Sequence, residues 1–239
     1  PHSSANGLKP PLVIILHPLG KSKEWSYFRK LEQGMLQQGR ALLKVDLPGH
    51  SENNGILEDV SRADEYLQAL FDFAEGDPRI DRTRIGLIGA SFGGWFAAKA
   101  LLSKKLGSKV RVAVLLNPAL YSYYFSPNLY AEVEPVLLRI FGDQDRKNLA
   151  AHMQSLALPD GAFRHLENPE RLLVLTGDRD QTTGADTEWL RHHGGEKVTI
   201  EMLPGEGHFP VKRDVLFYRI QEHLSGRFEM RTESAKGTR

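Results

Sequence analysis

The sequence predicts an α/β fold, a doubly wound and mostly parallel sheet of about six strands that carries a small helical cap. Three observations lead there. Short apolar runs of strand length alternate with stretches of helical periodicity along most of the chain. Turn-forming, glycine-rich stretches stand directly after several of those runs, where an open parallel sheet presents its ligand-binding edge. The interval 118–169 interrupts the alternation and is far longer than an ordinary connection.

"PLVIILH" (11–17) is a buried-strand pattern, and "SYFRKLEQGMLQQG" (26–39) places Phe28, Leu31, Met35 and Leu36 near helical spacing. "ALLKVD" (41–46) is a second strand. "ADEYLQALFDFAEG" (63–76) is a helix that Gly76-Asp77-Pro78 stops. "RIGLIGA" (84–90) is a third strand that runs straight into a helix over 92–106, and "VRVAVLLN" (110–117) is a fourth. "RLLVLTG" (171–177) and "KVTIEML" (197–203) are the fifth and sixth, and "DVLFYRIQEHL" (214–224) closes the chain as a helix. Residues 11–117 and 170–225 then form the core, and 118–169 form the cap. Residues 1–10 are expected to be a flexible segment, read as a linker, a processed end or an expression boundary. Residues 226–239 are expected to be a polar tail.

Composition narrows the function classes. The 239 residues contain no Cys, which excludes disulfides, thiolate metal sites and Cys nucleophiles. A formal net charge of +1 argues against a strongly basic nucleic-acid surface. No apolar run approaches the roughly 20 residues of a membrane span. There is no His-Glu-x-x-His, no Walker A loop and no Gly-x-Gly-x-x-Gly, so neither a metal nor a cofactor is expected. Oligomeric state does not follow from these residues, and the compartment is open, with the cytoplasm slightly favoured.

Gly89-Ala90-Ser91-Phe92-Gly93 has the Gly-x-Ser-x-Gly form, which is weak evidence on its own. Here it joins a strand to a helix, the setting of a nucleophile elbow. A Ser on so sharp a corner needs small neighbours two residues away, which Gly89 and Gly93 supply. The alternative is a glycine-rich turn with a helix-capping Ser.

Together with four other stretches at strand ends, this corner resembles the α/β-hydrolase family, and the resemblance runs over about residues 11–224. "LHPLG" (16–20) looks like its oxyanion loop and "DLPGHSEN" (46–53) like the loop after its next strand. "GASFGG" (89–94) looks like its elbow, "LTGDRDQT" (175–182) like its acid loop and "LPGEGHFP" (203–210) like its histidine loop. The resemblance implies a catalytic triad of Ser91 as nucleophile, His208 as base and Asp180 as orienting acid, in the family's order. It implies an oxyanion hole from the N–H groups of Phe92 and Leu19, because Pro18, where the family usually has Gly, has no N–H. The family also has two further strands before the first one visible here.

Rivals stand beside each assignment. "LLRIFGDQD" (137–145) ends in the same form as "LLVLTGDRD" (172–180), which makes Asp145 a competitor for the acid, although spacing to His208 favours Asp180. Asp178 is expected to bond within its own turn. His17 and His50 are read as braces of their loops, and His192 and His193 as a solvated helix end. Tyr123 and Tyr124, in an aromatic run with Tyr121, Phe125 and Tyr130, are candidate substrate-binding residues with Trp95. The other reading of all three is packing. The expected activity is hydrolysis of a carboxylic ester of a small or medium, partly apolar substrate through an acyl-enzyme. Amide, thioester or carbon–carbon hydrolysis on the same triad is the alternative within the class. A non-catalytic small-ligand-binding protein is the alternative outside it.

Overall fold

A computed structural model describes residues 8–57, 60–125, 127–142, 146–195 and 198–229. Six strands form one sheet: β1 (Pro11–Leu16), β2 (Ala41–Val45), β3 (Asp81–Ala90), β4 (Val110–Leu116), β5 (Leu172–Gly177) and β6 (Thr199–Leu203). Their spatial order is β2-β1-β3-β4-β5-β6, and all five pairings are parallel. The expected "mostly parallel" sheet is thus parallel throughout. The described residues hold seven α-helices, α1 (Arg29–Gln37), α2 (Val60–Gly76), α3 (Phe92–Leu102), α4 (Pro127–Phe141), α5 (Arg146–Ser155), α6 (Gly184–His193) and α7 (Arg213–Glu229), beside three short 3-10 turns.

Strand alternation sends apolar side chains to both faces, so both must be covered. Val13 and Ile15 of β1 join Ile88, Val112, Val114 and Leu175 under α1 and α7, which contribute Leu31, Met35, Leu216, Phe217 and Ile220. Leu12, Ile14 and Leu16 face the other way. There Leu87, Leu115 and Val174 meet Phe71 of α2 and Trp95 and Phe96 of α3.

The interval 118–169 holds α4 and α5. Leu137, Ile140, Phe141, Leu149 and Met153 of these helices belong to the same apolar cluster as α3. Trp95 Nε1 donates to the Leu156 carbonyl at 2.5 Å, and the Leu57 N–H donates to the Ile140 carbonyl at 2.6 Å. Asp145 lies outside the described residues, and so do the side chain of Tyr130 and the first predicted residue of the sixth strand, Lys197.

The closing helix corrects the sequence reading. Predicted over 214–224 with a tail from 226, it runs Arg213–Glu229. Phe228 is buried against Gly86, where an added Cβ would lie 2.8 Å from the Phe228 ring. Arg111 Nε also donates to the Arg227 carbonyl at 2.8 Å. Phe228→Ala should therefore cost about 3 kcal/mol, the scale of a large-to-small change in a core. Urea unfolding checks this, and an unchanged midpoint would place the last helical turn outside the cooperative core.

Candidate active site

β3 ends at Ala90 and α3 begins at Phe92, so the whole change of direction falls on Ser91. Its backbone has φ 51° and ψ −114°, a conformation costing on the order of 1–3 kcal/mol for a residue with a Cβ. The surroundings hold it there. Ser91 N–H donates to the Leu116 carbonyl at 2.9 Å, and its carbonyl accepts from Gly94, Ala119 and Trp95 at 2.9, 3.1 and 3.3 Å. The flanking glycines are required sterically. A Cβ on residue 89 would lie 2.2 Å from the Gly93 carbonyl oxygen, and one on residue 93 would lie 2.2 Å from that of Leu16. Among the described residues, no hydrogen bond ends on Ser91 Oγ.

The candidate acid, Asp180, and the candidate base, His208, stand in the loops after β5 and β6. Asp180 Oδ1 accepts from the Thr182 N–H at 2.8 Å and the Thr183 N–H at 3.1 Å. Oδ2 accepts from the Thr183 hydroxyl at 2.6 Å and from His208 Nδ1 at 3.0 Å. An ionised carboxylate only accepts, so the hydrogen of this bond is carried by Nδ1. Burial pushes the Asp180 carboxyl up, but the bonds from His208 and Thr183 outweigh it and hold the group below the usual carboxylate range. Asp178 does not keep to its own turn as expected. Its Oδ1 accepts from the Gly205 N–H at 2.7 Å and so ties the acid loop to the histidine loop.

Across the sheet, two histidines interlock the loops after β1 and β2. His17 Nδ1–H donates to the Pro18 carbonyl at 2.8 Å, and Nε2 accepts from the Leu47 N–H at 3.0 Å. His50 Nδ1–H donates to the Pro48 carbonyl at 2.8 Å, and Nε2 accepts from the Gly20 N–H at 3.0 Å. The rings meet edge to face at 4.8 Å. This is the bracing role expected of both. It immobilises the segment that carries Leu19, whose N–H, like that of Phe92, has no acceptor among the described residues.

Tyr123, Tyr124 and Trp95 are all buried. Tyr124 is fully enclosed and its hydroxyl donates to the Ala119 carbonyl at 2.9 Å. Trp95 stacks on Phe92 with ring centres 5.9 Å apart. All three pack in the core cluster beside the corner. Two residues went unassigned in the sequence. Asn117, at the end of β4, contacts both the acid loop and the histidine loop. Its place at a strand's carboxyl end was the available signal. Asp186 accepts from the N–H groups of Leu120, Tyr121 and Tyr123 at 3.0, 3.0 and 3.2 Å, and burial raises its carboxyl to about 6 against those bonds. No local pattern marks it, because its partners lie 63 to 66 residues away.

Burial lowers the His17 pKa from 6.5 to about 4, against the bond to Pro18, and lowers that of His50 as well. The folded chain favours the neutral rings. Stability from His17 is therefore complete above pH 6.5 and is lost as pH falls toward about 4. The loss approaches about 3 kcal/mol at the low end. His17→Gln, whose amide keeps a donor and an acceptor, should flatten the slope of unfolding free energy across that window. An unchanged slope would assign the pH dependence to other groups.

Comparison with known proteins agrees with this architecture. The family model described as "Alpha/beta hydrolase family" matches residues 13–219. Esterase FrsA of Vibrio vulnificus (strain YJ016) is 28% identical over 182 residues, which is 71% of this chain and 42% of that protein. Esterase FrsA of Vibrio cholerae is also 28% identical, over 181 residues. The chain thus spans less than half the length of these curated relatives. Among solved structures, the alpha/beta hydrolase GrgF from Penicillium sp. sh18 superposes with a TM-score of 0.68 at 17% identity, covering 92% of this chain and 91% of that one. Est1E from Butyrivibrio proteoclasticus, solved with ferulic acid bound, does so at 0.67 and 17%, covering 95% and 93%. On the match to most of its length, and on a fold shared with these structures, the chain belongs to the alpha/beta hydrolase family.

Proposed function

We propose that this chain is a serine hydrolase that cleaves a carboxylic ester of a small or medium, partly apolar substrate through an acyl-enzyme. The observation that carries the reading is the 3.0 Å bond between His208 Nδ1 and a buried, ionised Asp180, with the strained Ser91 corner in the same fold. Two curated relatives are named as esterases, which favours ester cleavage over its alternatives.

A serine hydroxyl is a weak nucleophile until an adjacent base takes its proton. In the proposed reaction Ser91 Oγ attacks the ester carbonyl while His208 Nε2 accepts the hydroxyl proton. Asp180 keeps the proton on Nδ1, so Nε2 stays available, and it stabilises the imidazolium that forms. The tetrahedral oxyanion rests on the N–H groups of Phe92 and Leu19. Phe92 opens α3, whose dipole favours negative charge there, and each such donor is worth roughly 3 kcal/mol in the transition state. The carbon–oxygen bond to the leaving group then breaks and His208 returns the proton to the departing alkoxide. Water repeats the sequence on the acyl-enzyme and releases the acid and free Ser91. The insertion 118–169 serves as a cap in this reading. Tyr123, Tyr124 and Trp95 act on substrate only through the walls they support.

Ser91→Ala should abolish turnover of a short p-nitrophenyl ester while leaving the circular dichroism spectrum unchanged. Retained activity in the folded variant would remove the proposal. Asp180→Asn should lower kcat by about 10⁴-fold, because the imidazole loses its tautomer, whereas Asp145→Asn should change it far less. A reversed pair of effects would reassign the acid. A panel of matched ester, amide, thioester and diketone substrates fixes the bond type.

A further inference from the structure

Asn117 is buried at the carboxyl end of β4, and every polar group it has is engaged. Its N–H donates to the Leu175 carbonyl at 2.9 Å, continuing the sheet by one bond. Its side-chain Oδ1 accepts from the Gly177 N–H at 2.9 Å, at the root of the acid loop. Its Nδ2 donates to the His208 carbonyl at 2.5 Å and lies 3.3 Å from that of Gly207. The Thr183 hydroxyl, which bonds Asp180 Oδ2, is also 3.1 Å from the Asn117 carbonyl. One side chain therefore spans the acid loop and the base loop from below, and its backbone reaches the hydroxyl that supports the acid.

We propose that Asn117 is a positioning residue that sets the distance and angle between Asp180 and His208. The inference rests on the serine-hydrolase reading above. Asp180 and His208 are 28 residues apart and meet through one hydrogen bond. His208 follows Gly205 and Gly207, and the bond from Gly205 to Asp178 holds the loop three residues before His208, so the Asn117 bonds are what fix it at His208 itself. Residue type matters here. A carboxylate would face two carbonyl oxygens, and an apolar side chain would leave the Gly177 N–H and the His208 carbonyl unpaired in a buried place. The backbone sits at φ 43°, a left-handed conformation that Asn tolerates better than most residues.

The test compares two variants of the full chain by steady-state kinetics on a p-nitrophenyl ester and by the rate of Ser91 labelling with a fluorophosphonate. Asn117→Gly keeps the backbone conformation and removes both side-chain bonds. Asn117→Asp keeps the acceptor for Gly177 and removes the donor to His208. A displacement of about 1 Å in a catalytic group can cost on the order of 100-fold. We expect kcat and the labelling rate to fall together by roughly 10- to 100-fold. KM should stay near the wild-type value, and the acid limb of the kcat/KM profile should move to lower pH as the imidazolium loses its carboxylate. Folded variants with wild-type kcat, labelling rate and pH profile would overturn the inference and leave the serine-hydrolase reading standing. If both variants failed to fold, Asn117 would be a stability residue, which also overturns it. A wild-type protein that does not label at Ser91 would sink the underlying reading, and that failure shows before any variant is made.

Discussion

A side-chain carbon on residue 93 would lie 2.2 Å from the carbonyl oxygen of Leu16 and 2.7 Å from that of His17. The first turn of α3 is thus laid directly on the backbone leaving β1, with no side chain between. That contact sets the spacing of two chain segments distant in sequence: the corner at Ser91 and the loop that carries Leu19. The same turn presses on β3, where a Cβ on residue 89 would lie 2.2 Å from the Gly93 carbonyl. Two glycines thus let the helix start against the backbone of both β1 and β3. The strain at Ser91 is offset by the packing of α3 behind it. Trp95, Phe96, Ala97, Ala98 and Ala100 are all fully buried, so the helix is held along its length rather than by its first residue.

Much of this was legible in the sequence, for identifiable reasons. Parallel strands covered on both faces are written as unbroken apolar runs, so "PLVIILH", "RIGLIGA" and "RLLVLTG" could be read without ambiguity. Ser91, Asp180 and His208 could be singled out as candidates because each stands shortly after such a run. The misreadings have physical causes too. Ser225 and Gly226 look like a helix stop, yet α7 continues because Phe228 finds a slot over Gly86 and Arg40 Nη2 reaches the Ser225 hydroxyl at 2.5 Å. Tertiary burial overrode local propensity there. The tyrosines after β4 could equally have been wall or packing, because sequence does not show which way an aromatic ring turns. Asn117 was visible only as the last residue of a strand, since its side-chain partners lie 60 and 91 residues further along.

The charged groups show why position within one short stretch matters. Asp180 and Asp186 are both buried, and both accept backbone N–H groups. Their carboxyls nevertheless shift in opposite directions, down for Asp180 and up to about 6 for Asp186. Desolvation raises both. Asp180 has in addition the ring of His208 and a hydroxyl from Thr183, whereas Asp186 has only peptide dipoles. A partner able to take up positive charge decides the sign. The contrast separates a carboxylate paired with an imidazole from one that fastens backbone.

What Asp186 fastens is the start of segment 118–169, Leu120 to Tyr123, to a helix whose preceding loop carries Asp180. The far end of the insertion is tied to the same region. The Leu158 N–H donates to the Leu120 carbonyl at 2.8 Å, and Trp95 in α3 holds the Leu156 carbonyl. Both ends of segment 118–169 therefore rest on elements adjoining Asp180 or Ser91. A change of length near residues 119–123 or 156–158 would pull on Asp186 or Trp95, and through them on the loops that set the geometry of Asp180 and Ser91. The end of α4 is held from a third side. A Cβ on residue 49 would lie 2.6 Å from the Ile140 Cα, and the Leu57 N–H donates to the Ile140 carbonyl. Segment 118–169 thus leans on the segments after β2, β3 and β5 together.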